Sequence, residues 1–414
     1  MGISYAALWR AGAVVTPTIF LLPPAELRHV LEDSGAKAVI ASPELVPLAE
    51  AAGAHQILST GEFAALEEAE PLSIVPRAPD DLAALMYTGG TTGRAKGVML
   101  SHENLWRAGK VGQKLGYTPG VTRGLLALPV SHAFGLLVAV VGLHAPEPGS
   151  AVLMRWFEPT EWLELAQEHR VQSSAVVPSM LQLLLARSLE DYDLSSLRFL
   201  ACGGAPLAAD VANEFERRVP GVEVREGYGL TESAAIVSGS SPGTVRRGAV
   251  GRPAPGVEVR IADDGEICVR SPTVMRGYWQ APEATAEALR DGWLHTGDIG
   301  RLDDDGYLYV VDRKKDLIIR GGFNVFPRDV EEALLEHPAV GAAGVVGRPD
   351  EVHGEEVVAF VELRGDATAD GLVAWAKERL GGYKYPREVR VVSSLPLTPV
   401  GKIDRKALRE RARG

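Results

Sequence analysis

The sequence predicts an α/β fold in two parts: a large, multi-subdomain amino-terminal domain of parallel sheets covered by helices with a small β-rich subdomain, then a small α/β carboxy-terminal domain. Three observations carry this. A chain of 414 residues exceeds what one hydrophobic core ordinarily serves, so two or more domains are expected. Short apolar runs at Leu125 to Leu128, Ala151 to Met154, Ser174 to Val177, Arg198 to Ala201 and Val222 to Glu226 alternate with helical stretches, the pattern of a mostly parallel sheet. From Val257 to Arg270 the hydrophobic period becomes two around Asp264-Gly265, which reads as a β-hairpin and places the β-rich subdomain at about residues 243–311.

In chain order, Met1 to Arg10 reads as an amphipathic helix, Val14-Val-Thr-Pro as a strand, Pro24 to Asp33 as a helix and Ala38-Val-Ile-Ala as a strand. Glu44 to Pro79 turns to Ala, Glu and Pro and reads as surface helices and a linker. The apolar strand Leu82 to Met86 runs into Tyr87-Thr-Gly-Gly-Thr-Thr-Gly-Arg-Ala-Lys-Gly97, and a helical segment follows from Ser101. Phe134 to Leu143 is apolar over about ten residues, half of what a bilayer crossing needs, so it reads as a buried helix and no membrane span is expected. Tyr307 to Val311 is a further strand, and Asp312-Arg-Lys-Lys-Asp then breaks the apolar pattern. A domain boundary is placed there, dividing 1–311 from 312–414. Strands near Ala342 to Val346 and Val357 to Leu363, with helices between them, make the remainder a compact domain.

Lys and Arg number 43 against 54 Asp and Glu, a net charge of −11, which argues against a general polyanion-binding surface and against nucleic acid as a partner. Cys202 and Cys268 are the two cysteines. They are too few for a disulfide framework and lack metal-ligand spacing, so a reducing cytoplasm is expected and each thiol reads as a small core residue.

The chain is organised around the glycine-rich stretch. Three threonines, four glycines and a lysine fall within its eleven residues. Glycines let backbone turn tightly and approach a ligand, Thr88, Thr91 and Thr92 offer hydroxyl donors, and Lys96 offers positive charge, a set suited to a cluster of anionic oxygens. Arg94 and Ala95 stand where a Walker A loop needs its Gly-Lys pair, and no G-x-G-x-x-G is present. The stretch instead resembles the signature of adenylate-forming enzymes, the superfamily of acyl-CoA synthetases, aryl-CoA ligases, peptide-synthetase adenylation domains and luciferase. Ala95 replaces the proline usual there.

Further motifs extend the resemblance from Tyr87 to Lys406. Leu128-Pro-Val-Ser-His-Ala-Phe-Gly-Leu is similar to the family's histidine-aromatic motif, which implies that His132 borders the acyl pocket and the thiol channel. No aspartate follows it to hold a substrate ammonium, which counts against an amino-acid substrate. Cys202-Gly-Gly-Ala-Pro-Leu ends a strand, its proline expected to start a helix; the resemblance implies that Gly204, Ala205 and Pro206 form a wall of the adenine site. Gly227-Tyr-Gly-Leu-Thr-Glu-Ser resembles the second signature: Tyr228 flanks the nucleoside, Thr231 bonds the α-phosphate and Glu232 holds a hard cation such as Mg²⁺. Trp293-Leu-His-Thr-Gly-Asp298 and Asp312-Arg313 imply Asp298 and Arg313 at the ribose, while His295 has no implied role. The resemblance further implies a hinge at Asp312, CoA-binding backbone at Gly321, Gly322 and Phe323, and a catalytic lysine at Lys402. The phosphates would be held by Thr88, Gly89, Gly90, Thr91, Thr92 and Lys96.

What this implies is an ATP-dependent acyl-CoA synthetase with ATP, Mg²⁺ and coenzyme A as cofactor and co-substrates, and His132, Thr231, Glu232 and Lys402 as its catalytic residues. A carboxylate attacks the α-phosphorus of ATP to give acyl-AMP and pyrophosphate, then a mobile carboxy-terminal domain rotates so that a thiol reaches the acyl carbon. Phe134-Gly-Leu-Leu, Val176-Val-Pro-Ser-Met and Ser233-Ala-Ala-Ile-Val are small or apolar, so a hydrophobic monocarboxylate is expected, with a medium or long acyl chain preferred over an aryl acid. Loading of a carrier protein, and binding of ATP and acid without turnover, are the alternatives. The Ala-Leu-x-Ala-Gly-Ala-Val-x-x-Pro-like start normally lies well inside the family's first subdomain, so the leading part is expected to be missing and self-association to be one way of covering what it leaves.

Overall fold

The computed structural model describes residues 2–19, 21–66, 69–70, 72–88, 95–398 and 403–413. They fall into two compact units. The first comprises Met1–Arg260, Cys268–Thr296 and Leu302–Tyr309; the second comprises Ile261–Ile267, Gly297–Arg301 and Val310–Gly414. The class is α/β, as expected. Among the described residues no helix is long and apolar enough to cross a membrane.

The first unit opens with α1 (Gly2–Arg10) and α2 (Pro24–Ser34), the latter ending at Gly35 with φ +62°. Where a strand over Val14-Val-Thr-Pro is expected, a single parallel bridge joins Val15 to Ala84. Pro17 has no N–H for a ladder, so pairing stops there. β1 (Val39–Ala41) pairs in parallel with β2 (Ile57–Ser59). The second of these is absent from the sequence expectation, because three residues carry no period to read. β3 (Leu82–Thr88) and β4 (Lys96–Ser101) form an antiparallel hairpin from Leu82 opposite Ser101 to Thr88 opposite Lys96. Ser101 then starts α3 (His102–Gly116) with a reciprocal cap: its Oγ accepts from Asn104 N–H, and Asn104 Oδ1 accepts from Ser101 N–H.

The main sheet follows, built from β5 (Arg123–Leu126), α4 (Ala133–Gly142), β6 (Ser150–Leu153), α5 (Pro159–Glu168), β7 (Ser173–Val176), α6 (Pro178–Leu185), β8 (Phe199–Cys202), α7 (Ala209–Arg218), β9 (Glu223–Tyr228), β10 (Ser238–Gly239) and β11 (Arg252–Pro253). Its order is β11-β10-β9-β8-β7-β5-β6, parallel from β6 to β9 with an antiparallel edge at β10 and β11. Trp162, Leu163, Leu181, Leu184, Leu200, Phe215 and Val224 form one core against it. The chain passes from β5 to one side of the sheet and from β7 to the other, so a crevice opens at the carboxyl ends of these two neighbours, the usual ligand position in such sheets.

In the second unit, the expected Asp-Gly turn closes with Ala262 N–H donating to Glu266 O at 2.9 Å and Gly265 N–H to Ala262 O at 2.8 Å, Gly265 taking φ +84°. The expected strand at Tyr307 to Val311 is β12 (Leu308–Arg313), whose residues from Val310 on belong to this unit; it runs through Asp312 before a short 3₁₀ turn at Lys314–Asp316. β13 (Ile318–Arg320), β14 (Phe323–Val325), α8 (Pro327–Leu335), β15 (Val340–Asp350), β16 (Gly354–Leu363), α9 (Ala369–Arg379), β17 (Glu388–Val391) and α10 (Arg405–Arg413) complete it. The sheet runs β14-β13-β16-β15, with β17 parallel beside β16. Val357, Ala359 and Val361 of β16 enter one core and Val358 and Phe360 another. Period-two alternation puts successive side chains on opposite faces, and both faces are covered, which is why this strand reads as a continuous apolar run.

Candidate functional site

The crevice of the first unit is lined where the parallel strands end. After β5 the chain turns through Pro129, His132 N–H donating to Pro129 O at 2.9 Å, and His132 caps α4 by accepting Phe134 N–H on Nδ1 at 3.3 Å. An accepting Nδ1 assigns the ring proton to Nε2 in the neutral form. A Cβ on Gly135 would lie 2.2 Å from Pro129 O, so only glycine allows the helix to start this close to its strand. Leu126, Leu128 and Ala175 are buried here, with Val130, Phe134, Val177, Met180 and Ala201 half-buried against them. An apolar wall at a switch point is the product.

Beyond β8, Gly203 is buried and a Cβ on it would lie 2.9 Å from Gly227 O, while Gly204 takes φ +83°. Gly204, Ala205 and Pro206 are exposed. The expectation that Pro206 starts the helix is corrected: α7 begins at Ala209, with Ala208 in the capping position. Beyond β9, Tyr228 is half-buried and Thr231 and Glu232 lie on a 3₁₀ turn, Thr231–Ser233, whose Ser233 is fully buried and bonds Leu230 through both N–H and O. Ala234 and Ala235 then take φ +50° and +64°, a left-handed pair that costs an alanine about 1 kcal/mol each.

Tyr278 meets the Glu232 end of this turn and links it to Lys96. Tyr278 donates its hydroxyl to Glu232 Oε1 at 2.8 Å, and Lys96 Nζ stands 5.3 Å from the centroid of the Tyr278 ring. Burial and then the Glu232 charge push the Tyr278 hydroxyl above its ordinary value, so it remains a donor. Thr88 closes β3 directly opposite Lys96. Gly89, Gly90, Thr91, Thr92 and Lys402 lie outside the described residues. A carboxylate with one oxygen taken by a neutral donor keeps its charge and its second oxygen, and a hard divalent cation bound to phosphates asks for such a ligand. The residues present therefore suit Mg²⁺.

The second unit holds the other candidates. Asp298 is buried and Arg313 exposed, with Arg313 Nε 3.3 Å from Asp298 Oδ1. Nearby, Glu266 accepts Gly297 N–H at 2.9 Å and pairs with Lys314 at 3.1 Å, and Lys314 also pairs with Asp264 at 2.6 Å. Asp312 is buried, accepting Arg313 N–H on Oδ1 at 2.7 Å and Arg328 N–H on Oδ2 at 2.9 Å; burial nonetheless raises its carboxyl above the ordinary range. Gly321 and Gly322 take φ +58° and +81° and are exposed, and Phe323, 58% exposed, lies 4.9 Å from the Tyr383 ring.

In the first unit, then, the structure brings His132, Gly204, Tyr228, Thr231 and Glu232 to the carboxyl ends of parallel strands of one sheet, and joins Glu232 to Lys96 through Tyr278. In the second it pairs Asp298 with Arg313. Tyr278 is the participant that sequence reasoning missed. Its signal is a Gly-Tyr-Trp run after a strand, which by itself reads as a turn. His295 Nδ1 lies 3.5 Å from Cys268 Sγ, a contact within the β-rich region. Burial, then the charge of Glu226, pushes the Cys202 thiol up to about 12, which excludes it as a nucleophile near neutral pH.

Known proteins resemble this chain over most of its length. The profile of the AMP-binding enzyme family covers residues 1–279 and that of the AMP-binding enzyme C-terminal domain residues 329–402. A feruloyl-CoA synthase of an Amycolatopsis species is 40% identical, across 98% of this chain and 85% of that protein. A long-chain-fatty-acid CoA ligase of Bacillus subtilis is also 40% identical, across 83% of this chain and 64% of its own length. Among solved structures, ATP-bound MatB from Rhodopseudomonas palustris superposes with a TM-score of 0.90 at 32% identity, covering all of this chain and 86% of that one. The o-succinylbenzoate CoA synthetase of Bacillus subtilis, in complex with its acyl-adenylate intermediate, superposes at 0.87 and 31% identity with the same coverage.

Proposed function

We propose that this chain, which belongs to the AMP-binding enzyme family and is an acid–thiol ligase of the acyl-CoA synthetase kind, activates a hydrophobic monocarboxylate, with a medium or long acyl chain preferred. The observation that carries the acid class is the half-buried apolar wall of Val130, Phe134, Val177, Met180 and Ala201 at the switch-point crevice, beside the strand end that bears Thr231 and Glu232. An alkyl chain gains about 0.8 kcal/mol for each methylene it buries on such a wall. Relatives named for feruloyl and for long-chain acids stand at equal identity, so the support for this preference comes from the apolar lining alone.

In this reading Thr88 and Lys96, with the loop between them, hold the ATP phosphates. Gly204, Ala205, Pro206 and Tyr228 bound the adenine, and Asp298 and Arg313 hold the ribose. Thr231 donates to the α-phosphate, Lys402 neutralises charge at the reacting phosphorus, and Glu232 holds the cation. When bound, Mg²⁺ lowers the phosphate charge that repels an incoming carboxylate. The carboxylate attacks the α-phosphorus and pyrophosphate leaves, giving acyl-AMP. The domain after Asp312 then rotates about that residue, withdrawing Lys402 and presenting Gly321, Gly322 and Phe323 to the pantetheine arm, whose thiolate attacks the acyl carbon and expels AMP. Two buried unbridged cysteines support work in a reducing cytoplasm.

The test is pyrophosphate release from ATP and Mg²⁺ with fatty acids of graded length and with aryl acids, with and without CoA, beside Lys402→Ala. Release that rises with alkyl length, needs Lys402 and yields a thioester with CoA is the expected result. Release with aryl acids alone overturns the chain-length preference. Acyl-AMP that accumulates whether or not CoA is present, and discharges onto a carrier-protein pantetheine, overturns CoA as acceptor.

A further inference from the structure

We propose that Tyr278 is a positioning residue for the cation-binding carboxylate: its hydroxyl holds one oxygen of Glu232 while its ring carries Lys96, so that the cation ligand and the end of the phosphate loop are set as one piece. The proposal rests on the reading above of Glu232 as the ligand of the ATP-bound cation.

The segment 275–279 is held to its surroundings along its backbone. Met275 N–H donates to Glu232 O at 2.8 Å, Met99 N–H to Gly277 O at 2.9 Å, Arg276 N–H to Met99 O at 3.0 Å and Trp279 N–H to Gly97 O at 2.7 Å. Tyr278 itself bridges Val98 in antiparallel fashion. It behaves as a short extra strand laid on β4, the strand that leaves the phosphate loop. Its other side is held as well, Tyr278 N–H donating to Thr285 Oγ1 at 2.9 Å and Trp279 Nε1 to Asp33 O at 2.9 Å. Gly277, at φ +138°, allows the approach to Thr285, because a Cβ there would lie 2.6 Å from Thr285 Cγ2. With its backbone fixed on two sides, the Tyr278 ring has little freedom.

That rigidity is passed to Glu232. A glutamate has three side-chain torsions, and a cation ligand must give up that freedom when it binds. A phenol hydroxyl at 2.8 Å removes much of it beforehand while leaving the carboxylate its full charge. An arginine or lysine in the same place would pair with the carboxylate and compete with the cation. Lys96 is instead over the ring face at 5.3 Å, where the aromatic quadrupole holds its ammonium without a carboxylate. The phosphate-facing cation and the metal-facing anion are thereby kept close and distinct.

The test measures binding of α,β-methylene-ATP by calorimetry, with and without Mg²⁺, so that no turnover is involved. Tyr278→Phe keeps the ring and loses the hydroxyl. The gain in affinity that Mg²⁺ confers falls about tenfold, the worth of one hydrogen bond to a charged group, and binding without Mg²⁺ is unchanged. In a Glu232→Gln background, Tyr278→Phe adds nothing further. Tyr278→Leu, which also removes the ring, weakens binding without Mg²⁺ as well. Equal losses from Tyr278→Phe with and without Mg²⁺, or a loss that persists in the Glu232→Gln background, overturn the positioning role and leave a scaffold role. A Leu variant that matches the Phe variant overturns the ring's part. A full Mg²⁺ gain in Glu232→Gln alone is a different result, which overturns the cation-ligand reading itself.

Discussion

Gly229 decides where Thr231 and Glu232 stand. A Cβ there would lie 2.2 Å from Ala235 O and 2.3 Å from its carbonyl carbon, so the loop can fold back under Leu230 only if position 229 has no side chain. Gly229→Ala is expected to cost about 3 kcal/mol in urea unfolding and to remove adenylation along with it. The Gly-Tyr-Gly-Leu-Thr-Glu run was legible as a strand-end loop because glycine and a hydroxyl advertise themselves. Ala234 and Ala235 were not, since alanine carries no sign of a left-handed backbone, and the strain is visible only in their φ angles. Cys202 shows the opposite case. It reads from the sequence as a small core residue, and it is buried. Its thiol, pushed up to about 12 by burial and by the charge of Glu226, stays protonated at neutral and mildly alkaline pH. An aromatic disulfide reagent at pH 8 is expected to leave it untouched in the folded protein and to label it in guanidinium; rapid labelling of native protein would contradict the burial.

At the scale of elements, α3 shows how a helix start ties distant chain together. Ser101 and Asn104 cap each other's backbone N–H groups, and Asn104 Nδ2 donates to Pro272 O at 2.8 Å and Val274 O at 3.0 Å. The serine before a helical run was a readable start signal. The second role of Asn104 was not, because its partners lie far along the chain. The two substitutions therefore differ: Ser101→Ala costs about 1 kcal/mol, the usual worth of a cap, whereas Asn104→Ala costs about 2 kcal/mol because two partly buried carbonyls lose their donor. Thermal melts should rank them in that order, and equal shifts would show that the bonds to 272 and 274 contribute nothing. The parallel strands were legible for a related reason. Each is short and carries apolar residues, and each is followed within a few residues by a glycine, a proline or a charged residue. β2 was not, and neither was the helix start after Pro206, where the helix waits until Ala209.

At the scale of the molecule, the second unit is held by a buried charge web whose members are distant in sequence. Arg405, at the start of α10, donates to both oxygens of Glu331 at 2.7 and 3.0 Å and to Val345 O at 2.7 Å, and lies 3.7 Å from Asp316. Arg409 completes the contact with Asp316. In the sequence these arginines belong to the basic run Arg405-Lys-Ala-Leu-Arg-Glu-Arg-Ala-Arg413, in which nothing marks a buried partner. Only folding shows that the run is inserted among Glu331, Asp316 and Asp312, and Arg405 keeps a raised pKa despite burial because those carboxylates surround it. Asp312 adds a pH dependence of its own. Its carboxyl is raised above the ordinary 3.8, so its contribution to stability is full below the unfolded value and declines as pH rises through the folded one. Arg405→Met removes the cation from buried carboxylates and is expected to cost the second unit about 3 to 5 kcal/mol. Hydrogen exchange at pH 7 should then show lost protection in α8, β15 and β16 while β5 to β9 keep theirs. Adding Glu331→Gln should recover part of the loss, because the uncompensated charge is what destabilises. If both units lost protection together, or if the second substitution deepened the loss, the web would not be a local support. Since α10 begins just beyond Lys402 in the sequence, a local loss should also lower pyrophosphate release while the parallel strands β5 to β9 of the first unit keep their protection, a separation that general unfolding could not produce.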